Sequence, residues 1–485
     1  MTSEKTARKD HAIDMTEGSP YRLILRFAVP LLLGNLFQQL YNTVDSIVVG
    51  NYLGTRSLAA VGVGFPFLFT MVSFFMGLGI AATVLISQRF GAKDFDGVNI
   101  IANTIYRMAS TIILPIILIG IFATPYVLEH LLRVPDDGTL EQGVAYLQIL
   151  FAGMAATMGY NLNAGILQGL GDSVTSLKFL ITSSVFNIVL DLLFVAVFKM
   201  GVAGAAWATI IAQFIAWLLG LRYLNRHYEY ISLNLLHLSY DRDYFKQSVR
   251  LGIPMAIQNM LFSIGAMAMY SLINSYGSTF SAGFNAANKI DTLVFLPVQS
   301  FANAVTTYTG QNAGARRFDR IHQGTRAGLV ISTITALVMG VVCYISSDLL
   351  MSMFGNDAGM IAAGSNYLHS VLPFYIFLAV LFTMNSVLRG VNQVALPLFS
   401  TILSLLLGRV PVAYYLAATM GKDMIFYSYG VGWIAGCTLS VCFYLFGSWE
   451  EKLHLLHQQE DERAARRLSE KKEAELEKRV ETMDN

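Results

Sequence analysis

Arg26-Phe-Ala-Val-Pro30, closing with Gln88-Arg-Phe-Gly-Ala92, returns in the second half of the chain as Arg250-Leu-Gly-Ile-Pro254 and Gln311-Asn-Ala-Gly-Ala315. The offset is 224 residues between the two prolines and 223 between the two glutamines. A period this long, with apolar sequence filling each copy, marks an internal repeat of a whole helical lobe rather than of a short solenoid unit. The chain therefore reads as two similar halves of one molecule.

Composition says where those halves lie. Of 485 residues, 54% are apolar and 13% charged, more apolar surface than a soluble core can use, and the fold class is an all-α polytopic membrane protein. A formal net charge of +1 argues against a nucleic-acid partner. Cys343, Cys437 and Cys442 lie in apolar runs without CxxC spacing and read as small hydrophobes. Residues 1–20 lack the apolar core of a cleavable signal, so the first membrane helix is expected to drive insertion.

A spanning helix needs roughly 20 mostly apolar residues, and twelve runs qualify. The first half supplies Leu23–Val49, Leu58–Ile86, Val98–Thr124, Val144–Leu167, Leu177–Phe198 and Val202–Leu221. The second supplies Leu251–Tyr276, Ala282–Tyr308, Gly328–Ile345, Ala362–Val387, Ala395–Ala418 and Met424–Phe446. Six helices per half, an even number, make the halves parallel repeats about a pseudo-two-fold axis along the membrane normal. The organisation expected is an N-terminal tail over 1–21, a six-helix lobe over 22–221, a linker over 222–250, a second lobe over 251–447 and a charged helical tail over 448–485.

One set of loops carries Arg89, Lys93, Lys178, Arg222, Arg226, Arg242, Lys246, Arg250, Arg316, Arg317, Arg320, Arg326 and Arg389, against Arg56, Arg133, Lys199 and Lys422 on the other. This bias predicts both termini in the cytoplasm; the expected location is the plasma membrane of a prokaryotic cell. From Ser448 onward mixed charges with sparse Leu453, Leu456, Leu468 and Leu476 predict an exposed helix.

Function is written in the polar residues that the membrane makes costly. Asn35, Gln38, Asn42 and Asp45 follow at steps of three, four and three, one stripe of the first helix. An aspartate inside a span costs about 2.5–3.5 kcal/mol on insertion scales, so this stripe faces protein or a wet cavity. Asn187 and Asp191, four apart, share a face of the fifth helix, and Thr209 follows in the sixth. Counted from the outer helix ends, Asp45, Asp191 and Thr209 lie at one depth. Two carboxylates, an amide and a hydroxyl at one level suit either an oxygen cage for a small cation or a carboxyl pair that shares a proton. Both chemistries fit coupling to H+ or Na+, with no cofactor.

The second half lacks the acidic stripe; it carries Lys289 and Asp291 in its second helix and Arg409 in its fifth instead. An Asp291–Arg409 ion pair or a substrate contact is the expectation for these. Tyr160 and a set of aromatic residues are candidates for a broad cavity suited to lipophilic cations. No HExxH, GxSxG or phosphate-binding loop is present, so the chain reads as a carrier and not an enzyme.

Pro30, Tyr41-Asn-Thr-Val-Asp45, the Gln88–Ala92 and Gln311–Ala315 pair, Gln168-Gly169, Asn187-Ile-Val-Leu-Asp191 and Gly201-Val-Ala-Gly204 together resemble the MATE family (multidrug and toxic compound extrusion) over nearly the whole chain outside the tails. The pattern is similar to its DinF-like branch. That resemblance implies two six-helix lobes forming a V, exchange of drugs for protons or sodium by alternating access, and a cation site at Asp45 and Asp191 with Asn187 and Thr209 beside it. Pro30 matches the position where the first helix bends. Gln258 and Asn259 stand where another branch carries an acid in the seventh helix. Small organic molecules and the lipid bilayer are the expected partners, for a monomer. The rival cargoes are a lipid-linked saccharide or one endogenous metabolite.

Overall fold

The computed structural model describes residues 12–132, 134, 137–458 and 461. Twelve long helical runs follow one another: α1 Pro20–Leu53, α2 Thr55–Gly91, α3 Phe95–Leu131, α4 Thr139–Gly169, α5 Ser173–Val197, α6 Gly201–His227, α7 Arg242–Asn274, α8 Ser278–Gly314, α9 Phe318–Ile345, α10 Ala358–Gly390, α11 Ala395–Thr419 and α12 Lys422–Phe446. Among the described residues ten are long and apolar enough to cross a membrane, or eleven when the two pieces of α4, bent by 51°, count as one span. The difference from the expected twelve is α8. At 37 residues it is long enough, but Lys289, Asp291, Gln299, Asn303 and Asn312 take it below the hydropathy of a lipid-facing helix. Its lower half is buried between the lobes, where polar side chains find partners.

Local signals set the helix ends. Asp94, Asp172 and Asp241 sit just before α3, α5 and α7 and accept the amides of Gly97, Thr175 and Asp243, each at 2.9 Å. Pro20 opens α1, where its missing N–H costs nothing, and Gly54 closes it at φ +86°. α3 ends in a π turn, Val127–Leu131, and α5 in another, Leu192–Val197; α11 carries a third, Ile402–Arg409.

The repeat is visible atom by atom. Thr83 Oγ1 donates to the Gly165 carbonyl at 3.0 Å, and Thr306 Oγ1 to the Ser386 carbonyl at 3.4 Å. The turn after α4 closes with Gly171 N to Gln168 O at 3.0 Å, and the turn after α10 with Asn392 N to Arg389 O at 2.9 Å. Gln168 and Arg389 are thus the same place in the two lobes. Across the axis the motifs meet each other: Gly91 of α2 packs on the Gln311 carbonyl of α8, while Gly314 of α8 packs on the Gln88 carbonyl of α2. A side chain at either glycine would occupy the space of a backbone carbonyl. Gln88 also donates to the Gly390 carbonyl at 2.7 Å. This is where the V closes.

Both chain ends seal the same vertex. Residues 12–19, part of the expected N-terminal tail, run as a strap between the lobes with Ile13 and Met15 buried. Gln311 takes the Met15 amide at 2.7 Å and donates to the Ile13 carbonyl at 3.2 Å; Asn312 and Arg320 hold the Met15 carbonyl at 3.1 and 3.2 Å. On the other lobe Lys93 pairs with Asp14 at 2.5 Å. Burial would raise the Asp14 carboxyl, but hydrogen bonds from Lys93 and Thr16 outweigh it and hold it below the usual carboxylate range. Its contribution is therefore present at neutral pH and lost only as pH falls through that depressed value. The expected exposed C-terminal helix needs correction as well: over 449–458, Trp449, Leu453 and His457 are buried, Trp449 and Leu453 against the strap and α9. Three apolar or aromatic positions on one face were enough to dock it. The remainder of that tail lies outside the described residues.

The segment between the lobes also packs rather than floats. Tyr228, Ile231, Leu233 and Leu238 are buried, and Tyr228 donates to Asp172 at 2.9 Å. Arg107 donates to the Leu238 carbonyl at 2.9 Å. One consequence is testable. Gln311→Leu leaves the Met15 amide and the Ile13 carbonyl unpaired in a dry site, at a cost of about 1–3 kcal/mol for each group. A lower melting temperature in detergent and faster proteolysis within residues 12–19 are expected; an unchanged melt would show the strap to be incidental.

Candidate functional site

Opposite the sealed vertex the lobes part around a cavity of about 1110 Å³. The α1 stripe faces it as its spacing requires: Pro30, Asn35, Gln38, Asn42 and Asp45 all line the wall. Asn35 also reaches across to the other lobe, donating to Ser300 at 3.2 Å. Tyr160 lines the wall from α4, with Asn161 and Gln168 below it, and Thr209 and Gln213 from α6. The second lobe contributes less, chiefly Asn259, Phe262, Phe295, Gln299, Asn303, Phe382 and Arg389.

Asp45 stands on this wall and Asp191, fully buried, stands behind it. The two carboxyl groups are immediate neighbours. Two ionised carboxylates so placed would repel and neither can donate, so the arrangement favours a proton held between them. Asn187, also buried, lies one turn before Asp191 on the same helix face. With its amide turned to satisfy both neighbours, it donates to Asp191 Oδ2 at 2.9 Å and accepts from Thr209 Oγ1 at 3.2 Å. Tyr41, one turn before Asp45, lines the cavity beside Thr209. One oxygen of each carboxyl, Asp45 Oδ1 and Asp191 Oδ1, is buried without a protein partner. Among the described residues no Lys, Arg or His forms an ion pair with either acid. The four residues that the sequence set at one depth are therefore one cluster, and Tyr41 belongs with them.

The π turn that begins immediately after Asp191 widens α5 at this point, a distortion that recurs at functional sites. In the second lobe α11 also carries a π turn, earlier in its helix and ending on Arg409. There the chemistry differs. Arg409 lies over the Tyr429 ring at 3.3 Å, and Asp291 accepts from Tyr375 Oη at 2.6 Å; the described ion pairs do not include Asp291 with Arg409. Lys289 is exposed, 5.8 Å from the centre of the Phe354 ring. Gln258 is buried, donating to Thr401 Oγ1 at 2.5 Å. Gln258, Lys289, Asp291 and Arg409 all stand outside the cavity wall. Among the described residues no group of three or more His, Cys, Asp or Glu could hold a metal ion.

Arg389 is the residue that sequence reasoning misplaced. It was counted with the loops, because it precedes Gly390 at the end of α10, but its side chain lines the cavity near the vertex and donates to Gln258 Oε1 at 2.9 Å.

Comparison with known proteins agrees with this architecture. The MatE family model matches residues 30–193 and 254–415, one copy per lobe. The probable multidrug resistance protein YpnP of Bacillus subtilis is 31% identical over 443 residues, covering 90% of this chain and 98% of that protein. The probable multidrug resistance protein NorM of Thermotoga maritima is 25% identical, covering 88% and 93%. Among solved structures, a MATE transporter in complex with MaL6 superposes with a TM-score of 0.83 at 24% identity, over 93% of this chain and all of that one. An outward-facing multidrug resistance MATE transporter of the MOP superfamily gives 0.81 at 23%, over 94% and all of that chain.

Proposed function

The chain belongs to the MatE family of multi-pass membrane transporters, and from that premise we propose that it is a secondary multidrug exporter exchanging lipophilic organic compounds, cationic ones among them, for protons. The observation that carries this reading is the carboxyl–carboxyl contact of Asp45 and Asp191 on the wall of an interlobe cavity large enough for a drug-sized molecule. A carboxyl pair holding a proton, with one member open to the cavity, binds and releases that proton according to what else occupies the cavity. A cationic substrate near Asp45 favours the ionised carboxyl and expels the proton; protonation from the far side of the membrane then expels the substrate. Each charge that crosses with the membrane potential is worth about 2.3 kcal/mol per 100 mV.

With both termini in the cytoplasm, the sealed vertex is cytoplasmic and the cavity described opens outward. The clustering of the acids in the first lobe supports the DinF-like branch. Sodium coupling is the second reading, favoured by the two unpartnered carboxyl oxygens beside the oxygens of Asn187 and Thr209. The test is purified protein in liposomes with a cationic dye, under a pH gradient and separately under a sodium gradient. Dye movement driven by the pH gradient alone is expected, and movement with sodium alone would replace the proton by sodium. Movement under neither would turn the assignment toward a lipid-linked or single endogenous cargo.

A further inference from the structure

The cavity wall holds two ionisable groups of opposite sign at opposite ends. Asp45 lies ten residues, about 15 Å of helix, beyond Asn35 along α1, away from the vertex. Arg389 lies at the vertex end, in the last turn of α10 beside Gly390, whose carbonyl Gln88 holds. Among the described residues the guanidinium has one partner, Gln258 Oε1; its Nε is buried with none, and no carboxylate lies within 4 Å. Phe382, two turns earlier on the same face of α10, stacks edge-on with Phe295 at 5.1 Å between centroids and lies 6.3 Å from Phe262. An aromatic lining therefore stands directly above an unneutralised guanidinium.

The fold does not require that charge. At the same place in the first lobe Gln168 ends α4 with the same turn, lines the same cavity and carries no charge. A helix C-terminus favours a cation in either lobe, so the end of the helix cannot explain why only one of them has it. We propose that Arg389 seats an anionic group of the transported molecule, so that the cavity takes aromatic compounds bearing a carboxylate, zwitterions included, with the rings on Phe262, Phe295 and Phe382. The fork of the guanidinium matches a carboxylate, and the dry surroundings of Nε strengthen that contact. This rests on the exporter reading, since it names what that cavity carries.

The experiment uses two dyes that differ in one group: a rhodamine with a free carboxylate and its ethyl ester, titrated into the purified full-length protein by fluorescence anisotropy. The wild type is expected to bind the carboxylate about tenfold more tightly than the ester, as one charge-assisted contact would give. Arg389→Gln, which installs the amide found in the other lobe, is expected to bring that ratio to about one, with Arg389→Lys between. The carboxylate dye should raise the melting temperature of the wild type and not of Arg389→Gln, a readout that also reports whether the variant is folded. A wild type that prefers the ester, or an unchanged ratio in folded Arg389→Gln, would overturn the proposal. Failure of the exporter reading looks different: neither dye would move in liposomes under any gradient, whatever their binding ratio.

Discussion

Asp45→Asn is expected to reduce gradient-driven dye movement to the rate of protein-free liposomes while dye binding to the purified protein stays within a few-fold of wild type. The amide keeps the shape of the carboxyl and its place on the wall, and it retains a hydrogen bond to Asp191. What it cannot do is exchange a proton, so Asp191 loses the titratable neighbour that connects it to the cavity. A ligand that no longer distinguishes the two arrangements of the lobes moves neither of them, and binding without transport is the outcome. Asp191→Asn should fail in the same way. Asn187→Ala should be milder, because it removes one hydrogen bond to Asp191 worth about 1–3 kcal/mol but leaves both acids. Wild-type movement in Asp45→Asn would remove this residue from the coupling.

The second large effect is conformational. Adding a methyl group at Gly91 or Gly314 places it against the backbone carbonyl of Gln311 or Gln88, and a carbonyl within a helix cannot turn aside as a side chain does. The vertex must open. Gly91→Ala with Gly314→Ala is therefore expected to depopulate the arrangement described and favour the one open at the opposite face; about 5.5 kcal/mol suffices to take such an equilibrium from 1:99 to 99:1. Labelling of a single cysteine placed at Gln38, in a background where Cys343, Cys437 and Cys442 are serine, reads this directly. With a membrane-impermeant maleimide, modification should fall on the side to which the cavity opens and rise on the other. Gly310→Ala is the control: its methyl group would meet the Ser87 hydroxymethyl, which can rotate, so a smaller change is expected. Equal labelling in all variants would mean that the vertex is not the gate.

The sequence carried the repeat, and the repeat carried the fold: Gln88 and Gln311, met first as matching letters, are the residues on which the opposite lobe's glycines pack. The acid cluster was legible for a related reason. Depth along a spanning helix can be counted, and few residues of this kind are tolerated there, so Asp45, Asn187, Asp191 and Thr209 could be brought together without coordinates. Tyr41 was equally accessible, being one turn from Asp45 on the same face, yet a tyrosine in a membrane helix is too common to stand out.

Other features had no such signal. Arg389 precedes a glycine at a helix end and reads as a loop charge; whether a terminal arginine points to water or back into a cavity depends on the face it occupies, which hydropathy does not record. The strap over 12–19 has no periodic pattern because it binds through its backbone, with Gln311 and Asn312 supplying the side chains from the far lobe. α8 looks too polar for lipid because much of it never meets lipid. The Asp291 and Arg409 expectation failed as a pair because each found an aromatic partner closer at hand, Tyr375 and Tyr429.

The most direct test of proton exchange at the Asp45–Asp191 pair is to count protons when substrate binds. Purified protein in weakly buffered detergent solution, with a pH indicator present, would be titrated with the rhodamine ester in the absence of any membrane or gradient. Release of about one proton per dye bound is expected from the wild type if the two carboxyls hold a single proton as proposed, and none from Asp45→Asn. Saturable binding by the wild type with no proton released would contradict it.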